Sequence, residues 1–229
     1  MSDSEFSDKN ILHSWHINAA PWIRAIGESD IASRKLVTNG AIVDAVLQRQ
    51  PATVLDIGCG EGWLARVLAE RGLEVCGIDA VPGLIEAAQH RAGPQEHYHL
   101  LSYEALAAGE LRRRFDLLVC NFSLLGGESV EGVFAAAHNL LNPGGHLMIQ
   151  TLHPMVACGD EDYRDGWRPG SWAGFSEDFS EPAPWYFRTM ESWLRLVRGA
   201  GLHLEEMKEP LHPETGKPAS LILVATPTL

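Results

Sequence analysis

Asp56, Gly58, Gly60 and Gly62 occupy alternate positions in VLDIGCGEGW, the stretch from Val54 to Trp63. An acid followed by three spaced glycines, set where an apolar run meets a helical stripe, describes a turn that lets a ligand come close to backbone. Two ligand classes use such a turn. A dinucleotide fold asks for G-x-G-x-x-G, and counting from Gly58 and Gly60 its third position is Trp63. An indole cannot replace hydrogen there, so a nicotinamide-dependent oxidoreductase is the weaker reading, although it stays open.

The elements that must position this turn follow a regular order. TVLDI (Thr53 to Ile57) reads as a buried strand, and Trp63, Leu64, Val67 and Leu68 form one stripe of the helix after it. LEVCGID ends in Asp79, and Pro82 then suits the first turn of a helix carrying Leu84, Ile85 and Ala88. HYHLL, FDLLVCNF and HLMIQTL supply three more strands, with Ser129 expected to cap the helix between the last two. Thr189 is expected to cap a helix bearing Trp193, Leu196 and Val197, and LHLEEMKE and ASLILVAT close the chain. This alternation predicts an open, mostly parallel sheet covered on both faces.

LDIGCGEG, GIDAVPGLIEAA and LNPGGHLMI, in this order, resemble the motifs of class I S-adenosylmethionine-dependent methyltransferases, over roughly residues 50 to 152. More narrowly the chain is similar to the small-molecule methyltransferases of ubiquinone and menaquinone biosynthesis. The resemblance implies an α/β, doubly wound, seven-stranded sheet with an antiparallel last strand. One domain is expected over 1–229: an N-terminal helical cap at 1–50, a cofactor-binding core at 51–152, a lid insert after the fifth strand at 154–188, and a closing helix and strands at 189–229.

The same resemblance implies a cofactor site. Gly58 and Gly60 would approach the methionine and ribose parts of S-adenosylmethionine, with Cys59 between them in the loop, and Asp56 would place negative charge near the ammonium. Asp79 is suited to accept two hydrogen bonds from the ribose hydroxyls, with capping of the next helix as the plainer role. Ala80 would lie beside the adenosine. Where the family has an acidic residue for the adenine amino group this chain has Ser102, followed by Tyr103. Asn121 and Phe122 would flank the methionyl ammonium and the sulfonium, and Arg34 would clamp the carboxylate, a surface ion pair being its plainer role.

Methyl transfer from a sulfonium mainly requires alignment and exclusion of water. His153, in TLHP at the end of the fifth strand, is the expected general base, with a structural corner at Pro154 as the competing role. Trp15 and His16 of the cap and Tyr186 of the insert are expected on the acceptor side. The insert intersperses aromatic residues with acids from Asp160 to Glu181, and acids facing the pocket would favour a neutral or cationic acceptor. NFSL at the fourth strand end lacks the N-P-P-Y or D-P-P-Y signature of amino methylases of nucleobases. A noncatalytic module that binds the cofactor, and a protein or peptide methyltransferase with an open groove, remain alternatives.

Composition narrows the partners. The 229 residues hold 45% apolar and 21% charged side chains, an ordinary globular balance, with net charge −12 opposing nucleic acid and anionic membrane. No apolar run reaches the roughly 18 residues of a membrane span, and the start, MSDSEFSDKN, is unlike a signal peptide. The expectations are a cytoplasmic monomer or homodimer, a small-molecule acceptor, no membrane contact and no metal. Four scattered cysteines predict neither a disulfide framework nor a zinc site.

Overall fold

The computed structural model describes residues 6–27 and 32–228; the first five residues of the acidic start, and Ile31 just ahead of Arg34, lie outside it. Seven strands form one sheet: β1 (Thr53–Ile57), β2 (Glu74–Asp79), β3 (Glu96–Leu100), β4 (Phe115–Asn121), β5 (Leu141–Thr151), β8 (Leu202–Lys208) and β9 (Leu221–Pro227). Their spatial order is β3-β2-β1-β4-β5-β9-β8. Only β9 runs against its neighbours, pairing antiparallel with both β5 and β8. The expected seven-stranded, doubly wound sheet is the one observed.

Alternation along the strands explains the two covered faces. Leu55, Ile57, Leu118, Ile149 and Leu223 point to one side, against α6 (Glu128–Leu140) and α8 (Met190–Gly199). Val54, Val119, Met148 and Val224 point to the other, against α2 (Asn39–Gln48) and α3 (Trp63–Ala69). The chain moves outward from β1 through β2 to β3 and from β4 through β5 to the far edge. The order therefore reverses between β1 and β4, and their carboxyl ends open the crevice where such sheets take ligands.

Two elements cover that crevice. Helix α1 (Asp8–Gly27) crosses it, followed by a π-helical turn at Arg34–Thr38 that leads into α2. The segment after β5 holds α7 (Pro154–Ala157) and a small antiparallel hairpin of β6 (Gly166–Arg168) and β7 (Trp185–Phe187). Thr189 caps α8 as expected, its hydroxyl accepting the Ser192 N–H. Ser129 does not cap α6. The helix begins at Glu128, and the Asp8 carboxylate accepts the N–H groups of Gly127 (2.7 Å) and Ser129 (2.9 Å) from across the molecule. A cap borrowed from α1 leaves no local pattern in the sequence.

Candidate active site

A cavity of about 480 Å³ lies over the carboxyl ends of β1, β2 and β4. Its floor is the glycine turn, and the three glycines do different work. Gly62, at φ +82°, faces Tyr98: an added Cβ would stand 2.5 Å from the phenolic oxygen. Gly58, at φ +74°, is closed in by Ser123 and by the Tyr103 hydroxyl at 2.6 Å. Gly60, at φ +58°, has open space, with Trp22 Nε1 nearest at 3.8 Å. Gly58 and Gly60 both line the cavity; at Gly58 the direction of a Cβ is filled by the protein's own side chains, and at Gly60 it is open.

Asp79 joins this turn to α4 (Pro82–His90). One carboxylate oxygen accepts the Gly60 N–H and the other the Val81 N–H, each at 2.9 Å. It lines the cavity with Cys59 and Ala80. Burial raises its pKa, and the backbone N–H groups pull in the opposite direction. Each oxygen keeps a lone pair for a further donor, so both roles anticipated for Asp79, the next helix start and a ligand site, are compatible.

Asp56 is placed differently from expectation. It lies beneath the turn, 2% exposed and outside the cavity lining, with Oδ2 free of any partner. Burial, and then the neighbouring Asp79 charge, push its pKa up to about 8. It makes no contact with the cavity, and burial favours its neutral form.

At the end of β4, Asn121 lines the cavity with a buried Oδ1 that no protein group satisfies. Phe122 follows at φ 53°, a left-handed conformation uncommon for an aromatic residue, held by its N–H to the Gln150 carbonyl at 2.8 Å. Ser102 and Tyr103 both line the cavity, but their polar atoms are engaged. The Ser102 Oγ caps α5 (Tyr103–Ala107) by accepting the Ala105 N–H, and the Tyr103 hydroxyl donates to the Ser123 carbonyl at 3.0 Å. The Ser102 oxygen thus serves the helix start and keeps one lone pair toward the cavity.

Arg34 lines the opposite side. Its guanidinium lies 4.9 Å from the Trp63 ring centroid and 5.7 Å from that of Trp22, and its Nε donates to Asn39 Oδ1 at 3.3 Å. Burial lowers its pKa to about 10, with the Glu61 charge acting against that shift. Trp63, the residue that breaks the dinucleotide pattern, thus supports a cation.

The acceptor side is aromatic. Trp15 packs edge-on to Trp22 and Trp172, and Trp172 continues to Phe175 and Phe179. Trp15, Trp22, Trp172, Phe175 and Trp185 line the cavity. Trp172, Phe175 and Trp185 belong to the aromatic insert expected over the acceptor, whereas Trp22 was not singled out from sequence; its only signal was its aromatic type within a segment that precedes the strand-helix alternation. None of the acids between Asp160 and Glu181 lines it. Asp165 accepts the Thr189 N–H at 2.8 Å, and Asp178 and Glu181 reach Arg24 and His13 at the surface.

Besides Asp56, three expected site residues lie off the cavity. His153 is 5% exposed behind Leu152, its Nε2 2.7 Å from Glu209 Oε1 and its buried Nδ1 unpartnered. Its carbonyl accepts the N–H groups of Val156 and Ala157 at the start of α7, which is the corner role. Tyr186 packs on Trp167 and Arg188 on the far side of the hairpin. His16 is exposed, with Nδ1 2.6 Å from the Leu12 carbonyl. It does not line the cavity, which Leu12 and Trp15 do.

Among the described residues no three His, Cys, Asp or Glu are grouped to hold a metal ion, and no helix is long and apolar enough to cross a membrane.

Comparison with known proteins adds three observations. The family model described as a methyltransferase domain matches residues 33–207. The ubiquinone biosynthesis O-methyltransferase of Xylella fastidiosa (strain M23) is 34% identical over 164 residues, 68% of this chain and 63% of that relative, so the match spans less than two thirds of the relative's length. Its counterpart from Xanthomonas axonopodis pv. citri is 33% identical over 178 residues, 74% of this chain and 70% of its own. Among solved structures, the 1,6-didemethyltoxoflavin-N1-methyltransferase of Burkholderia thailandensis superposes with TM-score 0.64 at 20% identity, covering 95% of this chain and 91% of its own. An S-adenosylmethionine-dependent methyltransferase from Clostridium acetobutylicum gives 0.67 at 14%, covering 92% and 98%. At these identities the solved structures share the fold.

Proposed function

The chain belongs to the methyltransferase-domain family, and from that premise we propose that it transfers a methyl group from S-adenosylmethionine to an oxygen of a planar, uncharged or self-ionising small molecule. The observation that carries this reading is Asp79, fixed by the Gly60 and Val81 N–H groups at the cavity beside a glycine turn whose Gly60 leaves room for a ligand.

The residues fit the cofactor on several counts. Asp79 offers lone pairs to ribose hydroxyls, Ala80 leaves room beside them, Asn121 offers an orphaned buried oxygen to an ammonium, and Arg34 offers a carboxylate a partly desolvated cation. Bound S-adenosylmethionine supplies a methyl group activated by its sulfonium. The chain's own share is to hold the acceptor in line against the aromatic wall and to keep water out.

A hydroxyl acceptor must also lose a proton. Of the acids that line the cavity, Asp8 is bonded to the start of α6, Asp79 to Gly60 and Val81, and Glu61 to Arg66 and Arg91, while Glu104 is exposed on α5 beside Ser102 and Tyr103, on the cofactor side. His153 stands behind Leu152 and is read as the corner residue. Turnover should therefore follow the acidity of the acceptor itself, which favours phenols and catechols over aliphatic alcohols. Oxygen as the acceptor atom takes its support from the names of the relatives. The aromatic wall, free of lid acids, suits a small planar molecule better than nucleic acid or a peptide. Action in the cytoplasm, as a monomer or homodimer, completes the reading.

The test is calorimetric titration with S-adenosylhomocysteine and, in a parallel cell, NADH, followed by an acceptor panel of phenols, catechols and amines. Micromolar binding of the first alone and methylation of a phenol whose rate rises with its ionisation are expected. Binding of NADH alone would move the chain to the oxidoreductases, and cofactor binding without any methylated product would favour a noncatalytic module.

A further inference from the structure

Trp22 occupies the joint between the two walls of the cavity. On its cofactor side lies the Arg34 guanidinium, and its Nε1 is the nearest atom to the open space at Gly60. On its other side Phe175 of the insert packs at 6.3 Å between centroids, and Trp15 meets it edge-on at 5.0 Å. The insert beyond is tied to the same helix through the backbone of Ser180 and Glu181. Asn18, fully buried, donates from Nδ2 to the Ser180 carbonyl at 2.7 Å and accepts the Ser180 N–H on Oδ1 at 3.0 Å, while Ser14 Oγ donates to the Glu181 carbonyl.

We infer that Trp22 is a positioning residue that couples occupancy of the cofactor's amino-acid end to closure of the 170–183 segment over the acceptor, acting through Arg34. The inference rests on the cofactor reading above. A ligand carboxylate fixes the guanidinium in one place, and a cation over an aromatic face attracts it most strongly where water is excluded. The indole face that packs on Phe175 and Trp15 is thereby held. A ligand that fills the adenosine end without a carboxylate leaves Arg34 unfixed and has no differential affinity for the closed segment. The acceptor wall would then assemble only over a loaded cofactor.

Amide hydrogen exchange over residues 170–183 of the full chain tests this, with S-adenosylhomocysteine or 5′-methylthioadenosine at concentrations shown by calorimetry to saturate. The homocysteine ligand should slow exchange there, at the Ser180 amide included, by about fivefold or more, and the methylthio ligand by less than about twofold. Trp22→Leu should abolish that protection and Trp22→Phe should restore part of it. Equal protection by both ligands, or full protection in Trp22→Leu, overturns the coupling. Should Trp22→Leu fail to fold, the two ligands on the unaltered chain decide the matter alone. Binding of S-adenosylhomocysteine without protection removes only the coupling, whereas no binding at all removes the cofactor reading together with it.

Discussion

The two walls of the cavity are built by different means. The cofactor wall is tied by backbone: Gly58 and Cys59 donate to the Ile78 carbonyl, Gly60 and Val81 to Asp79, Leu101 to the Asp79 carbonyl, Phe122 to that of Gln150. The acceptor wall is tied by side chains between α1 and a segment some 160 residues later, as in Asn18 to Ser180 and Trp15 to Trp172. A backbone-tied wall has almost no freedom at its glycines. A wall of stacked rings depends on shape and area, so it tolerates exchange of one ring for another and changes its acceptor as it does so.

Substitution within the glycine turn tests that contrast with the largest expected effect. Gly62→Ala places a methyl against the Tyr98 hydroxyl at positive φ and should cost about 2–4 kcal/mol of stability in thermal or denaturant unfolding. Gly58→Ala meets Tyr103 and Ser123 and should behave alike. Gly60→Ala has space, so it should lose only the left-handed penalty of about 1–2 kcal/mol and show most of its damage in cofactor affinity. Equal destabilisation by all three would end the division of labour.

Asp79→Ala follows. It should weaken S-adenosylhomocysteine binding by about 1.5–3 kcal/mol in calorimetry, and unchanged affinity would remove Asp79 from the ligand site. His153→Ala should cost about 1–3 kcal/mol of stability through the lost Glu209 bond and leave turnover within about twofold of the unaltered chain. A loss of roughly 10²-fold or more in turnover with stability intact would return His153 to the role of base.

The smaller effects concern charge. The folded chain raises the pKa of Asp56 to about 8, so it holds a proton that the unfolded chain releases near the usual carboxylate value. Stability from this group is complete below the unfolded pKa and is lost as pH rises toward the folded one, roughly from pH 4 to pH 8. The ligand-free Tm should decline across that window, and Asp56→Asn should flatten the decline; an identical slope would place the effect elsewhere. Smallest of all, Arg24→Ala removes an exposed ion pair with Asp178 and should change stability by about 0.5 kcal/mol or less. A larger loss would mean that charge, and not ring packing, holds the acceptor wall.

Much of the cofactor wall was legible because its signals are local. The Asp56 to Gly62 turn, the acid closing β2, Pro82 opening α4 and the Thr189 cap each lie within a few residues of the geometry they impose. The errors share a cause as well. Ser129 lost its capping role to Asp8, more than 100 residues away. His153, Tyr186 and His16 were chosen for residue type and nearness to the right strand end, which leaves open the side toward which each one turns.

The sequence by itself determined that the chain builds a parallel sheet with a ligand turn after its first strand, because alternation, glycine and proline act on neighbouring residues. It also determined that Trp63 stands where the dinucleotide pattern wants its third glycine, which made that reading the weaker one. Only the tertiary structure decided what fills the space above each glycine, that Trp172, Phe175 and Trp185 of the lid line the cavity while its acids do not, and that Trp22 stands between Arg34 and Phe175. Those outcomes depend on side chains from distant segments competing for one volume, and no local pattern records which of them occupies it.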